Sequence, residues 1–294
     1  LAYLLKDLNI KTTIIEANNR IGGRIITRRN TNEAPVDLGA TWLVPQQTNI
    51  LNLLKALNIE VFEQYYGKTA IYQPNPTKQP QLVSLPNHDS VSYRITNGTQ
   101  TLIETLKYQL DHTTIQTNTN AVSIQLKAEN LEIQTNKQTF YSKYVVSTLP
   151  PALFNQNISV TPKLPSVITD VLSKTHTWMH NSIRVGFTYK TPFWKHPQSS
   201  GTIYANSGPL QEFYDHSNAK QSMYALSGFM SANMADLDQA KRKQLALDQL
   251  TSYYGDIALE YISYEECVWK NQKHTTNTTD NFVMPQQNNG HPLY

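Results

Sequence analysis

The sequence predicts an α/β protein in which an open sheet is joined to a second, α+β module, and three features carry that reading. Leu1, Leu4, Leu5 and Leu8 fall at the i, i+3, i+4, i+7 spacing of an amphipathic helix. A β-branched run at 11–16 follows within about three residues, so helix passes to strand as in a βαβ unit. Beyond about residue 156 the pattern changes to spaced strands with one long helix, which marks the second module.

Taken in order, Asn9 can close the first helix in a left-handed conformation, and the strand at 11–16 should be buried. A short strand at 25–27 and a polar turn at 30–33 precede a helix at 48–57 that Asn58 ends. The stretch 67–93 holds four prolines and few periodic apolar positions, which predicts an irregular excursion. Thr99 is the expected N-cap of a helix carrying Leu102, Ile103, Leu106 and Leu110, and strands follow at 121–127, 131–135 and 139–147 before Pro150-Pro151 ends the block. In the second module we expect a short helix from Pro165 to about Leu172, a half-buried strand at 183–189, strands at 201–205 and 222–229, a helix at 236–254 and a strand at 259–268. An uncapped start in mid-helix leads us to expect a further element before Leu1.

Bulk properties exclude several classes. With 39% hydrophobic residues in 294, the chain can bury a sizeable core. A net charge of +3 with no long basic run argues against nucleic acid, and apolar runs are too short to span a bilayer. A single cysteine, Cys267, rules out an internal disulfide framework and suits a reducing, cytoplasmic compartment. His176 and His180 lack a third ligand at metal-like spacing, so no metal is expected.

The stretch most informative about chemistry is Glu16-Ala17-Asn18-Asn19-Arg20-Ile21-Gly22-Gly23-Arg24. A carboxylate at the C-terminal end of a strand is placed to accept the ribose hydroxyls of a dinucleotide. Gly22 and Gly23 let backbone come close without a Cβ, and Arg24 sets a fixed positive charge beside a diphosphate.

That stretch resembles the glutamate-to-GGR signature of the flavin-containing amine oxidases, a family that includes the monoamine oxidases. Further segments are similar in the same order. Asp37-Leu38-Gly39-Ala40-Thr41-Trp42 resembles the family loop that lies against the flavin, and 94–99 with its following helix resembles the R-x-x-G-G element. Val145-Val146-Ser147-Thr148-Leu149-Pro150-Pro151 is similar to the strand leaving the cofactor domain. Residues 182–194 resemble the strand ending in P-F-W, and Trp269 stands where the family has a tryptophan near the flavin. The resemblance implies an FAD-binding Rossmann-like open sheet formed by 1–62, 94–155 and 269–294, incomplete at both ends, with an α+β substrate domain at 63–93 and 156–268. It implies FAD contacts from Glu16, Ala17, Arg20, Gly22, Gly23, Arg24, Gly39, Ala40, Thr41, Trp42 and Val122, and catalytic roles for Arg184 and Trp269. The family's G-x-G-x-x-G turn would precede Leu1 and its FAD-closing segment would follow Tyr294, so the chain as given is expected to bind FAD poorly.

The sequence also departs from that pattern. Arg184 replaces a lysine that holds a water near the flavin, and arginine cannot release its proton. No cysteine follows Trp269, which implies noncovalent FAD. His274, Thr275, Thr276 and Thr279 occupy the stretch expected to supply one aromatic wall of the amine cage, with Phe282 the nearest aromatic; Asn18 replaces the usual arginine after Glu16-Ala17. The expected reaction is oxidation of a small-molecule amine to an imine and aldehyde, with dioxygen reduced to peroxide. A related FAD oxidase or desaturase acting on a non-amine substrate and a non-catalytic remnant are the alternatives. No membrane or nucleic-acid partner is expected, and a homodimer is left open.

Overall fold

The computed structural model describes residues 1–8, 10–85, 91–110, 113–177, 179–195 and 200–293, so the expectations placed on Asn9 and Tyr294 lie outside the described residues. The opening leucine stripe forms α1 (Ala2–Leu5), which tightens into a 3-10 turn at Lys6–Leu8. There follow β1 (Thr13–Ile15), β2 (Thr27–Arg28), β3 (Val36–Asp37) and α2 (Thr48–Ala56). Asn58, at φ 53°, lies two residues past α2 in the left-handed region that the sequence anticipates. Next come β4 (Val61–Glu63), β5 (Thr69–Gln73), β6 (Gln81–Ser84), β7 (Tyr93–Ile95), α3 (Gln100–Tyr108), β8 (Thr114–Gln116), β9 (Ala121–Leu126), β10 (Leu131–Thr135) and β11 (Thr139–Ser142). The rest comprises α4 (Pro151–Asn157), β12 (Ser159–Thr161), α5 (Ser166–Ser173), β13 (Ile183–Tyr189), β14 (Ile203–Ala205), β15 (Leu210–Asp215), β16 (Tyr224–Met230), α6 (Gln239–Tyr254) and β17 (Tyr261–Val268).

Two compact units emerge from the packing. One comprises Leu1–Gly23, Gln109–Asn181 and Trp269–Tyr294; the other comprises Arg24–Tyr108 and Ser182–Val268. In the first, β1 and β8 run parallel with Ile14 opposite Ile115, the pairing a βαβ unit requires. A separate four-stranded sheet in the order β11-β10-β9-β12 stands in the same unit. Val122 falls at a bulge in it, because Ser123 faces Gln134 while Ala121 faces Thr135.

The second unit holds a seven-stranded sheet in the order β17-β13-β16-β15-β14-β5-β6. Alternation along β13 sends Val185 and Phe187 to one face, where they join Leu226, Met230, Leu247 and Leu250 in a core against α6. Arg184, Gly186 and Thr188 point the other way. Thr188 Oγ1 donates to Glu33 Oε2 at 2.6 Å, and a Cβ on Gly186 would enter the space of the Val36 side chain. Residues 33–42 therefore cover this face, and every residue of β13 is buried. The expectation of a half-buried strand is corrected: its polar face is sealed by another segment instead of by water.

A second correction concerns 67–93. This stretch supplies β5 and β6, an antiparallel hairpin that extends the large sheet, rather than an irregular excursion. Pro74, Pro76 and Pro80 sit in the hairpin loop, where no ladder N–H is needed, so they punctuate the strands without breaking them. Pro151 begins α4 at a position where its missing N–H costs nothing, so Pro150-Pro151 starts a helix as well as ending a block. Among the described residues no helix is long and apolar enough to cross a membrane.

Candidate functional site

In the first unit, Glu16 follows β1 directly and its backbone N–H donates to the Gln116 carbonyl at 2.8 Å. Its Oε1 accepts from both the backbone N and the Nδ2 of Asn18, at 2.7 and 2.9 Å. The residue that departs from the family pattern thus orients the carboxylate. Arg20 folds over the same turn, with Nη2 donating to the Gly23 carbonyl at 2.6 Å. Gly22 and Gly23 have φ of 111° and 54°, and the position of a Cβ on Gly23 opens onto empty space. Ala17 is half-buried beside them. Elsewhere in this unit Val122 is 41% exposed on its bulge, whereas Trp269 is fully buried in the turn after β17.

In the second unit, β2 and β3 bring the Asp37–Trp42 stretch against the backbone of Arg24–Ile26. Leu38 N donates to Ile26 O and Ala40 N donates to Arg24 O, so a Cβ on Gly39 would collide with the Arg24 carbonyl oxygen. Only glycine fits there. The Arg24 side chain and Ala40 are exposed. Thr41 Oγ1 donates to Gly39 O at 3.0 Å and accepts from Arg184 Nη2 at 3.2 Å; the same nitrogen donates to the Asp37 carbonyl at 3.1 Å. The Arg184 guanidinium lies between Trp42 and Phe229, 4.8 and 4.4 Å from their ring centres. Its Nε and Nη1 have no hydrogen-bond partner, and burial pulls its pKa down to about 10 with Asp37 opposing the shift. Arg184 remains a cation at neutral pH.

Behind this loop lies a polar cluster that the sequence reading did not assemble. Asp37 Oδ1 accepts from Thr27 Oγ1 at 2.5 Å and from the backbone N and hydroxyl of Thr99 at 3.0 and 3.1 Å. The start of α3 is therefore satisfied by a carboxylate remote in sequence, with Gln100 N donating to Thr27 Oγ1, which corrects the expectation that Thr99 caps the helix with its own side chain. His216 Nε2 accepts the Asp37 backbone N–H at 3.2 Å, which fixes the neutral imidazole. Burial, with help from Arg94 and Arg184, holds His216 well below its ordinary pKa. Burial likewise raises Asp37 against the bonds from Thr27 and Thr99, and lowers Arg94 to about 10. A cavity of about 10 Å³, room for one water, is lined by Asp37, Arg94 and His216 among others.

Of the expected aromatic walls, Phe282 is 92% exposed and encloses nothing here, while Thr275 and Thr276 are buried. The Thr279 side chain lies outside the described residues. The expected residues gather in two places: Glu16, Ala17, Arg20, Gly22 and Gly23 on one loop, and Gly39, Thr41, Trp42 and Arg184 on the sheet face of the other unit.

A model of the family described as flavin containing amine oxidoreductase matches residues 1–84 and 78–292 of this chain, nearly its whole length. The chain belongs to that family. Family membership makes it an FAD-dependent oxidoreductase, with amines as the family's substrates. Among curated relatives, amine oxidase [flavin-containing] B of Mus musculus is 23% identical over 388 aligned residues, 97% of this chain and 74% of the relative. That span exceeds the 294 residues here, so about a hundred aligned positions have no counterpart in this chain. Putrescine oxidase of Kocuria rosea is 28% identical over 188 residues, 59% of this chain and 39% of the relative. Among solved structures, wild-type putrescine oxidase bound to putrescine superposes with a TM-score of 0.78 at 19% identity, covering 93% of this chain and 83% of that one. Cyclohexylamine oxidase from Brevibacterium oxydans gives 0.78 at 14% identity over 93% and 82%. These likenesses establish the shared α/β flavoenzyme fold expected from the sequence.

Proposed function

We propose that this chain carries the core of an oxidase that converts a small-molecule amine to an imine, which water hydrolyses to an aldehyde, while dioxygen is reduced to hydrogen peroxide. The observation that carries the reading is the Gly39–Trp42 loop held against a fully buried cation, Arg184, on a sealed sheet face. When bound, noncovalent FAD supplies the redox chemistry, and the protein's part is binding, orientation and exclusion of water.

The residues fit such a group. Glu16 would accept the ribose hydroxyls through the oxygen that Asn18 leaves open, and the Gly22-Gly23 turn, open at the Gly23 Cβ position, with Arg24 would take the diphosphate. Ala17, Arg20 and Val122 would complete the adenosine end. Gly39, Ala40, Thr41 and Trp42 would meet the ring system, where the unpartnered Nε and Nη1 of Arg184 can donate. Arg184 and Trp269 keep their assignment as catalytic residues under this reading, Arg184 as a fixed donor that moves no proton. We assign 1–62, 94–155 and 269–294 to the FAD-binding domain and 63–93 with 156–268 to the substrate domain. The packing division differs: the β2–β3 hairpin contacts the large sheet through β16 and ties the start of α3 to it by hydrogen bonds from Thr99 and Gln100, while 156–181 groups with the first unit.

Full-length protein, with the encoded residues that flank 1–294, titrated with FAD should develop a bound-flavin absorbance spectrum that an amine bleaches without oxygen, with peroxide appearing when air is readmitted. A protein that binds FAD but is bleached by no member of a panel of primary, secondary and diamino compounds overturns the amine reading.

A further inference from the structure

We propose that Gln64 is a positioning residue that fixes the plane of the Trp42 indole and, through it, the surface that this loop offers to the flavin ring. This rests on the reading above that Gly39–Trp42 meets that ring. Gln64 follows β4 directly, and its backbone N–H donates to the Ser92 carbonyl at 2.8 Å beside β7. Its side chain is buried. Oε1 accepts from Trp42 Nε1 at 3.0 Å, while Nε2 donates to the carbonyls of Tyr65 at 2.7 Å and Asp215 at 2.8 Å. These partners allow the amide one orientation. Turned over, it would set an NH2 group against an indole that can only donate, and an oxygen against two carbonyls that can only accept.

The anchor of this amide is held independently of it. The Asp215 carboxylate accepts from Trp194 Nε1 at 2.8 Å and from Ser217 Oγ at 2.9 Å, and it pairs with Lys195 Nζ at 2.9 Å, so the end of β15 stays in place. At the other end Trp42 is only half-buried. The Arg184 guanidinium lies over its ring and Tyr214 meets it edge-on at 5.3 Å, and part of the indole surface remains accessible. Ring contacts alone let an indole rock, because the torsion that turns the ring has a broad, two-fold preference. The bond to Gln64 removes that freedom. A side chain of the same length without an amide would keep the packing and lose the orientation.

The test is a cycle of full-length proteins: wild type, Gln64→Met, Trp42→Phe and the double variant. Trp42→Phe keeps a ring and removes the N–H that Gln64 holds. In flavin-free protein, the near-ultraviolet circular dichroism lost on Trp42→Phe is the signal of the oriented indole, and Gln64→Met should remove most of it. Gln64→Met should weaken FAD affinity about tenfold with Trp42 present and less than about twofold in the Trp42→Phe background. The absorbance maximum of the bound flavin should follow the same pattern. Urea midpoints should instead fall alike in both backgrounds, since two carbonyls lose their donor in each. Where Gln64→Met does not fold, Gln64→Asn serves: it keeps an amide but stops a methylene short of the indole, and should show the same loss of affinity. An FAD affinity that falls equally in both backgrounds, or stays at the wild-type value, makes Gln64 a packing residue and overturns the proposal. If no amine bleaches the bound flavin, the amine-oxidase reading fails while the cycle still decides Gln64. If the protein takes up no flavin, the proposal falls with the flavin site, whatever the dichroism shows of the indole.

Discussion

The Arg184 guanidinium stacks 4.8 Å from the ring centre of Trp42, and through that contact β13 holds the loop that follows β3. The arrangement is costly for the protein alone, because Nε and Nη1 are buried without partners. Desolvation of a buried charge offsets much of what its hydrogen bonds and ring contacts contribute, so an apolar side chain of similar length can replace it at little cost.

Arg184→Met should accordingly leave the unfolding free energy within about 1 kcal/mol of wild type or raise it, while weakening FAD affinity by about tenfold. Urea unfolding without flavin and fluorescence titration with FAD separate the two effects. A loss of more than about 3 kcal/mol in the flavin-free protein, with FAD affinity intact, would make Arg184 a structural strut.

His216 should make the protein acid-sensitive. It accepts the Asp37 N–H only when neutral, and its folded pKa lies below the unfolded value of 6.5 because of burial and the nearby Arg94 and Arg184. A base depressed in this way takes up its proton on unfolding, so its contribution is whole above pH 6.5 and falls below it by at most about 1.4 kcal/mol per pH unit. Asp37 acts with the opposite sign. Its folded pKa is raised by burial, so its contribution is present below its unfolded value of 3.8 and is lost as pH rises through the folded pKa. In His216→Asn the decline beginning at pH 6.5 should shrink when urea midpoints are followed from pH 8 to 5; an unchanged profile would assign the acid response to other groups.

The turn proposed to hold the dinucleotide can be assembled from sequence because its residues are local. Glu16, Gly22 and Gly23 sit within eight positions, and the structure keeps them on one turn. The rest of the site depends on long-range pairing. His216 reaches Asp37 across 179 positions, and no local pattern marks a histidine as the acceptor of a distant backbone N–H. A bulge between Leu210 and Glu212 breaks the alternation of β15, and prolines in the loop joining β5 to β6 dominate the composition of that stretch, so no local pattern marks either. The register that puts Phe229 in line with Arg184 is a property of sheet order, and sheet order is not written in any one strand.

Arg242 and Glu266 form an ion pair that joins α6 to β17. The guanidinium engages both carboxylate oxygens, Nε to Oε2 at 3.0 Å and Nη2 to Oε1 at 2.5 Å, with both side chains over nine-tenths buried. Arg242→Met should cost roughly 3–5 kcal/mol by leaving Glu266 buried and unpaired, whereas Arg242→Met with Glu266→Leu should recover most of it. Chemical unfolding of the four proteins in the cycle measures this, and a double variant as unstable as the single would contradict it.

Two glycines distinguish folding from cofactor binding. A Cβ on Gly39 meets the backbone carbonyl of Arg24, which is fixed by the Leu38 and Ala40 ladder bonds and cannot step aside. Gly39→Ala should therefore destabilise the protein by about 1–3 kcal/mol whether or not flavin is present. Gly23 has φ 54°, in the left-handed region, but nothing stands near its Cβ position. Gly23→Ala pays only the backbone preference, about 1 kcal/mol, and places a methyl where a diphosphate would approach. Its FAD affinity should fall by at least about tenfold while its urea midpoint stays close to wild type. If Gly23→Ala binds FAD as tightly as wild type, the open space beside that turn is not where the dinucleotide lies, and the roles of Glu16 and Arg24 fall with it.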